Sequence, residues 1–304
     1  MTPFHTFIAV LINLIWGSMF IAGAIGLEEF PPVLFTGIRF SLLLVLLAGF
    51  LKVPKPLIFP LAKIGLLMGT GNYLTLYMAI ALTDNTGAIA VFSKLDVPFA
   101  LMLGVVLLNE RIGPQRIAGT TLAFFGALLI SFDPAAFQNL PALFWMAISS
   151  GFSAYTVILV RQLDKQVHPL TITAWVSLIG APTLLLTSFI FESGQQTIIM
   201  EASLTGWGAL VYTAIMSSLI AHSAMYFLLQ RYTVAQVSPF TLLASVFAVI
   251  GGVLILDDQL TVPLVIGSVL ILAGVAWINR RKAVATTPET KTSTLFVKTS
   301  KERV

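Results

Sequence analysis

Cysteine is absent from this 304-residue chain, and charged residues make up only 10% of it. The first absence excludes disulfides, thiolate metal sites and a cysteine nucleophile. The second excludes a water-soluble globule: with 57% hydrophobic residues and a mean hydropathy of +0.95, too little polar surface is left to face water. Histidine is scarce as well. His5, His168 and His222 lie on separate segments without ligand spacing, so no metal site is expected. Gly69-Thr70-Gly71 lacks the third glycine of a nucleotide fingerprint, and there is no P-loop, so no cofactor is expected. Ser93 and Lys94 are neighbours that cannot face each other on a helix, which leaves no nucleophile and base. An enzyme is not the expectation.

What the chain has in abundance is long apolar runs. Windows of about 20 apolar residues, the length that crosses a ~30 Å hydrocarbon core, fall near 5-26, 31-51, 60-82, 86-108 and 114-132, then near 141-160, 169-191, 205-229, 234-256 and 262-279. Lys and Arg occupy alternate connections and the span ends beside them: Lys52, Lys55, Lys63, Arg111, Arg116, Arg161, Lys165, Arg231 and Arg280 to Lys282. The intervening connections carry Glu28, Glu29, Asp84, Asp133, Glu192, Glu201, Asp257 and Asp258, and no Lys or Arg. The positive-inside rule then places both termini in the cytoplasm of a multi-pass inner-membrane protein. The pI near 9.4 does not signal nucleic acid, because the basic residues flank apolar spans and would meet lipid headgroups. A cleaved signal peptide competes for the first span, since Ala22-Gly23-Ala24 resembles a cleavage site, but its leading segment holds His5 and no Lys or Arg. Residues 280-304 open on Arg280-Arg281-Lys282 and lose apolar periodicity, which predicts a disordered cytoplasmic tail.

The spans repeat. At an offset of 148, Leu108-Asn109-Glu110 aligns with Leu256-Asp257-Asp258, and Gly119, Leu122, Gly126 and Ile130 align with Gly267, Leu270, Gly274 and Ile278. With small shifts Pro32 pairs with Pro169, Thr36 with Thr173, Tyr77 with Tyr226, and Pro98-Phe99 with Pro239-Phe240. Five spans per copy is an odd number, so the second copy enters from the opposite face. The expectation is an all-α integral membrane protein of ten transmembrane helices in two inverted five-helix repeats: residues 1-138, residues 139-279, and the tail 280-304. Inverted repeats around a midplane site are the architecture of many secondary transporters.

Trp16-Gly17, Pro32 with Arg39, Pro98, Asn109-Glu110-Arg111 and the Gly119/Gly126 pair together resemble the EamA-type pattern of the drug/metabolite transporter superfamily over about residues 5-279. Arg231-Tyr232, Pro239 and Leu256-Asp257-Asp258 are similar to its amino-acid-derivative exporters. Asp258 departs from the usual Glu, and Lys94 with Asp96 charges a stretch that is commonly neutral. The resemblance implies alternating-access export of a small polar metabolite, an amino acid or derivative. The alternative is a carrier for other organic solutes or amphiphilic cations, a multidrug-type efflux. Partners are then a small-molecule substrate, the lipid bilayer and, as a candidate coupling ion, the proton, with the protein a monomer or homodimer.

Away from the span ends, three charges fall inside the spans: Arg39, Lys94 and Asp96. A charge there costs about 2.5 to 3.5 kcal/mol on insertion scales, so it tends to be kept in the bundle interior. At 1.5 Å per residue Arg39 and Lys94 reach a similar depth, roughly 12 Å below the outer surface. Two roles are open: a cluster of net charge about +1 that holds a substrate carboxylate, or an Arg39–Asp96 pair that locks helices while Lys94 snorkels. Pro98 removes the amide bond to the Lys94 carbonyl, and Pro239 the bond to Ala235, so paired helix breaks are expected. Asn72, Tyr73, Tyr77, Trp16, Tyr155, Trp175, His222 and Tyr226 are the uncharged candidates for cavity walls. His222 and Tyr226, four apart, share a face. Gly65 and Gly69 form a GxxxG pattern expected at a close helix contact.

Overall fold

The computed structural model describes residues 1–82, 93–131, 140–163, 166–255 and 261–279, with the side chains of Phe20, Tyr77, Ile80, Ala81, Ile130, Ser131, Leu264 and Asn279 excepted. The expected tail 280-304 and Asp258 lie outside the described residues. Among those described, every element is helical. That is what an apolar medium demands, because a helix satisfies its own backbone hydrogen bonds.

Helix α1 is Pro3–Leu27 and α2 is Pro32–Leu46; α3, Lys55–Ile64, runs through a π-helical segment, Gly65–Asn72, into α4, Tyr73–Ala81. Helices α5, Asp96–Leu108, and α6, Pro114–Ser131, follow. After them come α7, Leu140–Leu163, α8, Pro169–Phe191, and the short α9, Gln195–Glu201. Helix α10, Leu204–Tyr212, passes through a second π-helical segment, Thr213–Ala221, into α11, His222–Leu229. The chain closes with the one-turn α12, Val234–Val237, a 3-10 segment, Ser238–Leu242, α13, Leu243–Ile255, and α14, Val262–Asn279. Four of these helices begin on proline: Pro3, Pro32, Pro114 and Pro169. The missing N–H costs nothing at a first turn, where it would have no partner anyway.

Among the described residues, six helices are long and apolar enough to cross a membrane: Pro3–Leu27, Lys55–Leu76, Leu140–Leu163, Pro169–Phe191, Leu204–Leu229 and Val234–Ile255. The spans expected at 31-51, 86-108 and 262-279 overlap shorter apolar helices, Pro32–Leu46, Asp96–Leu108 and Val265–Ile278. The span expected at 114-132 overlaps α6. Regular α2 stops early because Leu47 leaves helical geometry at φ −106 and a 3-10 turn, Ala48–Phe50, follows.

Glycines set the tightest crossings. Helices α6 and α14 touch backbone to backbone: a Cβ on Gly119 would lie 2.8 Å from the Gly274 carbonyl, and one on Gly126 2.5 Å from the Gly267 carbonyl. The later glycine of one helix meets the earlier glycine of the other, so the two helices run antiparallel. Gly65 and Gly69 seat the first π-helical segment against α8, where added Cβ atoms would meet the Trp175 and Val176 carbonyls at 2.7 and 2.5 Å. Elsewhere α2 lies along α8, α1 packs on α10 and α13, and α7 packs on α4 and α5.

Acidic side chains fasten helix starts across the chain. Glu192, just past α8, accepts from the Val33 and Leu34 N–H groups at 2.9 and 2.8 Å, capping the first turn of α2. Glu110 does the same for α12, taking the Val234 and Ala235 N–H groups at 2.9 and 3.2 Å. Glu29 accepts from the Ser203 N–H at 2.6 Å and its hydroxyl at 2.5 Å, and that Ser203 oxygen in turn caps α10. Each carboxylate meets unpaired N–H groups at the positive end of a helix dipole.

Candidate functional site

The two π-helical segments frame the candidate site. A π turn inserts an extra residue and recurs at functional positions; here the segments start at Gly65 and Thr213, 148 residues apart, and each ends beside a candidate, Tyr73 and His222. Between them lies a narrow cavity of about 10 Å³ bordered by Phe40, Met68, Tyr73, Ser218, His222 and Tyr226, with Thr173 and Val176 of α8 completing it. That is close to the smallest space that admits one water.

Arg39 projects from α2 beside this cavity and is 5% exposed. Its described partners are all neutral. Nη2 donates to Tyr73 Oη at 2.9 Å, and the guanidinium carbon stands 5.4 Å from the Phe40 ring centre and 5.5 Å from that of Tyr73. Nε is buried with no hydrogen-bond partner. Aromatic faces offset part of the desolvation of a cation, but a buried guanidinium with a free N–H still favours an anion.

His222 sits within reach of the Arg39 charge. Its Nδ1 lies 2.8 Å from the Ser217 carbonyl, which can only accept, so Nδ1 carries the proton and Nε2 is left as acceptor in the neutral ring. Trp16 of α1 meets the imidazole edge-on at 5.1 Å, and Tyr226 lies 6.2 Å away on the same face. The indole nitrogens of Trp16 and Trp175 and the Ser218 hydroxyl are buried without partners. Such orphans are uncommon in protein interiors, and this group consists of donors.

The remaining sequence candidates are placed elsewhere. Asn72 ties α7 to the π-helical segment: its Nδ2 donates to the Ser149 carbonyl and hydroxyl at 3.0 and 3.1 Å, and Ser149 Oγ returns a bond to the Asn72 carbonyl at 2.9 Å. The Tyr77 side chain lies outside the described residues. Lys94 stands in a turn just ahead of α5 with Asp96 as the first helical residue, and the two feel each other's charge. That turn belongs to the helix packed on α7, whereas α2 carries Arg39 along α8. The Lys94 carbonyl, which Pro98 was expected to free, accepts the Val97 N–H at 3.3 Å. Pro98 itself stands third in α5, in the turn where its missing donor is harmless. Pro239 lies at the start of the 3-10 segment between α12 and α13.

Some site residues have no signal in the sequence. Phe40, Met68 and Ser218 look like ordinary core positions, and Thr173 stood out only as the repeat partner of Thr36. Lys63 served as a topology marker, yet its Nζ donates to Tyr155 Oη at 2.7 Å. A charge near a span end gives no hint that its stem will fold inward.

The profile of the EamA-like transporter family matches residues 4–132 and again 140–280. A "Probable amino-acid metabolite efflux pump" of Escherichia coli (strain K12) is 27% identical over 279 residues, covering 90% of this chain and 93% of that one. Its namesake from Salmonella typhimurium is 26% identical over 280 residues, with the same coverage. A solved crystal structure aligns at TM-score 0.78 and 19% identity, covering 92% of this chain and 97% of that one, which speaks for the fold. With two family repeats laid over membrane-length helices, the chain belongs to the EamA-like transporter family: it is a multi-pass membrane transporter and not an enzyme.

Proposed function

We propose that this protein is a secondary transporter that exports a small amino-acid-derived metabolite and holds its carboxylate at Arg39. The observation that carries the reading is the buried guanidinium, whose described partners are neutral and whose Nε is unbonded. A carboxylate there gains charge-assisted hydrogen bonds in a low dielectric, and the Ser218 hydroxyl on the cavity wall and the Trp16 indole against His222 are donors for other polar atoms. The relatives named as amino-acid metabolite efflux pumps support both the substrate class and the outward direction. Amphiphilic cations fit less well, because Arg39 repels them.

The machine is ten helices in two inverted repeats, 1-138 and 139-279, with a cytoplasmic tail 280-304 and both termini in the cytoplasm of the inner membrane. Its support is the closure of the contacts under exchange of repeats. Gly119 pairs in sequence with Gly267 and Gly126 with Gly274; swapping them turns the Gly119–Gly274 contact into the Gly126–Gly267 contact. Antiparallel equivalent helices related in this way are what a two-fold axis in the membrane plane would produce. Because the cavity admits about one water, a metabolite enters only when the helices part, which is the motion that alternating access requires.

The test is uptake by proteoliposomes of labelled amino acids and derivatives beside a panel of amphiphilic cations, with and without a pH gradient. Competition by carboxylated solutes and not by their amides is the expected result; uptake confined to cations overturns the proposal. His222 is the candidate proton carrier. Its neutral replacement should abolish pH-driven accumulation and preserve exchange of identical substrates.

A further inference from the structure

We propose that the groove between α5 and α6 binds one anionic glycerophospholipid, independently of what the central site transports. The groove has a volume of about 250 Å³ and is walled by Leu101, Met102 and Val105 of α5 and by Thr120, Thr121 and Phe124 of α6, with Pro98 at one end and Ile112 at the other. From Pro98 to the end of α5 at Leu108 is ten residues, about 15 Å of helix. That is half of a ~30 Å hydrocarbon core, the depth of a single leaflet and so of one acyl chain.

Two further observations give the occupant a headgroup and a glycerol. Arg111 and Arg116 flank Ile112 and Ile117 at the loop end of the groove, where a phosphate would lie. Glu110, the acid beside them, has its carboxylate engaged by the Val234 and Ala235 N–H groups. One turn deeper, Thr120 is 5% exposed and its hydroxyl has no hydrogen-bond partner, although the walls around it are apolar. Four residues separate Arg116 from Thr120, about 6 Å along the helix, comparable with the step from a phosphate to an ester carbonyl in a glycerophospholipid. A hydroxyl donor at that depth matches the carbonyl, and the two arginines match a net anionic headgroup over a zwitterionic one.

Native mass spectrometry of the purified full-length protein, titrated in detergent with palmitoyl-oleoyl phosphatidylglycerol or phosphatidylcholine, tests this. Wild type should retain one phosphatidylglycerol at about tenfold lower lipid concentration than phosphatidylcholine. The double variant Arg111→Gln/Arg116→Gln should lose that preference, and Thr120→Val should weaken retention of both lipids without changing it. Thr121→Trp, which fills the groove from an exposed position, should abolish retention of both. Monodisperse elution of each variant establishes that it is folded. Equal retention of the two lipids by wild type, or unchanged retention by all three variants, overturns the proposal. Displacement of the bound lipid by tetraphenylphosphonium also overturns it, and assigns the groove to a transported amphiphile.

Discussion

Glu110 reaches from the end of the fourth expected span to Val234 at the start of the ninth, its Oε1 accepting the backbone N–H at 2.9 Å while Oε2 takes that of Ala235. One carboxylate thus joins the two family repeats at a helix dipole. Loss of a capping side chain costs about 0.5 to 2 kcal/mol, and charged acceptors stand at the upper end. Glu110→Ala should lower the thermal midpoint of the detergent-solubilised protein by several degrees, and Glu110→Gln, which keeps one acceptor oxygen, by less. Equal midpoints for all three proteins would remove Glu110 from the account of what holds the repeats together.

Arg39 carries the substrate proposal. Arg39→Gln should raise the half-saturating substrate concentration at least about tenfold, the loss of a charge-assisted bond being worth ~1.5 to 3 kcal/mol. Arg39→Lys should rescue it only partly, since an ammonium cannot reproduce the planar fork. Tyr73→Phe should have the smaller effect, because it removes a neutral partner. Wild-type kinetics in a well-expressed Arg39→Gln protein would return the residue to a packing role.

Lys94 and Asp96 behave as a local pair at the start of α5. Lys94→Met removes a charge and keeps length, so expression should hold or rise. Asp96→Asn leaves the cation without its neighbour's charge and should cost more in folding yield than Lys94→Met. Fluorescence-detected elution profiles of the two variants compare them directly. If Lys94→Met also lowers substrate affinity tenfold, Lys94 joins Arg39 in the site.

Glu29 gives a pH dependence with a definite sign. The Ser203 hydroxyl, then the Ser203 N–H, hold its carboxyl below the ordinary value of 4.5, against a smaller opposing effect of desolvation. A folded pKa below the unfolded one means stability that is complete above about 4.5 and lost as pH falls through the lower, folded value. Thermal midpoints between pH 6 and 3, roughly the range that brackets a carboxyl group, should therefore decline more steeply for wild type than for Glu29→Gln. Ser203→Ala should flatten the same limb.

Gly126 and Gly151 make a matched pair of helical glycines. A Cβ at Gly126 would stand 2.5 Å from the Gly267 carbonyl, whereas one at Gly151 would meet nothing within 4 Å. Gly126→Ala should destabilise by about 1 to 3 kcal/mol, and Gly151→Ala should be neutral or stabilise by up to ~1 kcal/mol. Thermal unfolding of both reads this out, and tolerance of Gly126→Ala would mean that α6 and α14 can move apart.

The Gly65/Gly69 crossing and the rarity of buried charge were legible because each leaves a mark in one dimension: a spacing, or an ion in an apolar run. Arg39 was found that way. The expected meeting with Lys94 was not, since Arg39 and Lys94 share a depth in sequence but lie on helices that pack against different partners. Depth along a span says nothing about azimuth around the bundle. Glu29 and Glu192 were read only as markers of one membrane face and Glu110 only as part of a repeated motif, because a carboxylate that will cap a distant helix looks the same as one that meets water. The π-helical segments had no signature at all: GLLMGTGN and TAIMSSLIA share almost no residues, and what they have in common is position in the repeat.

Those wide turns make the site a matter of phase. Each holds a residue that the regular 3.6-per-turn count does not accommodate, so winding either segment as ordinary α-helix with its residue count unchanged would rotate everything beyond it by about 100°. Composition, charge and span length would barely change, yet Tyr73 would swing away from Arg39 in the first helix, or His222 away from Trp16 in the second. Recognition at the proposed site would therefore depend on how the residues are wound as much as on which they are.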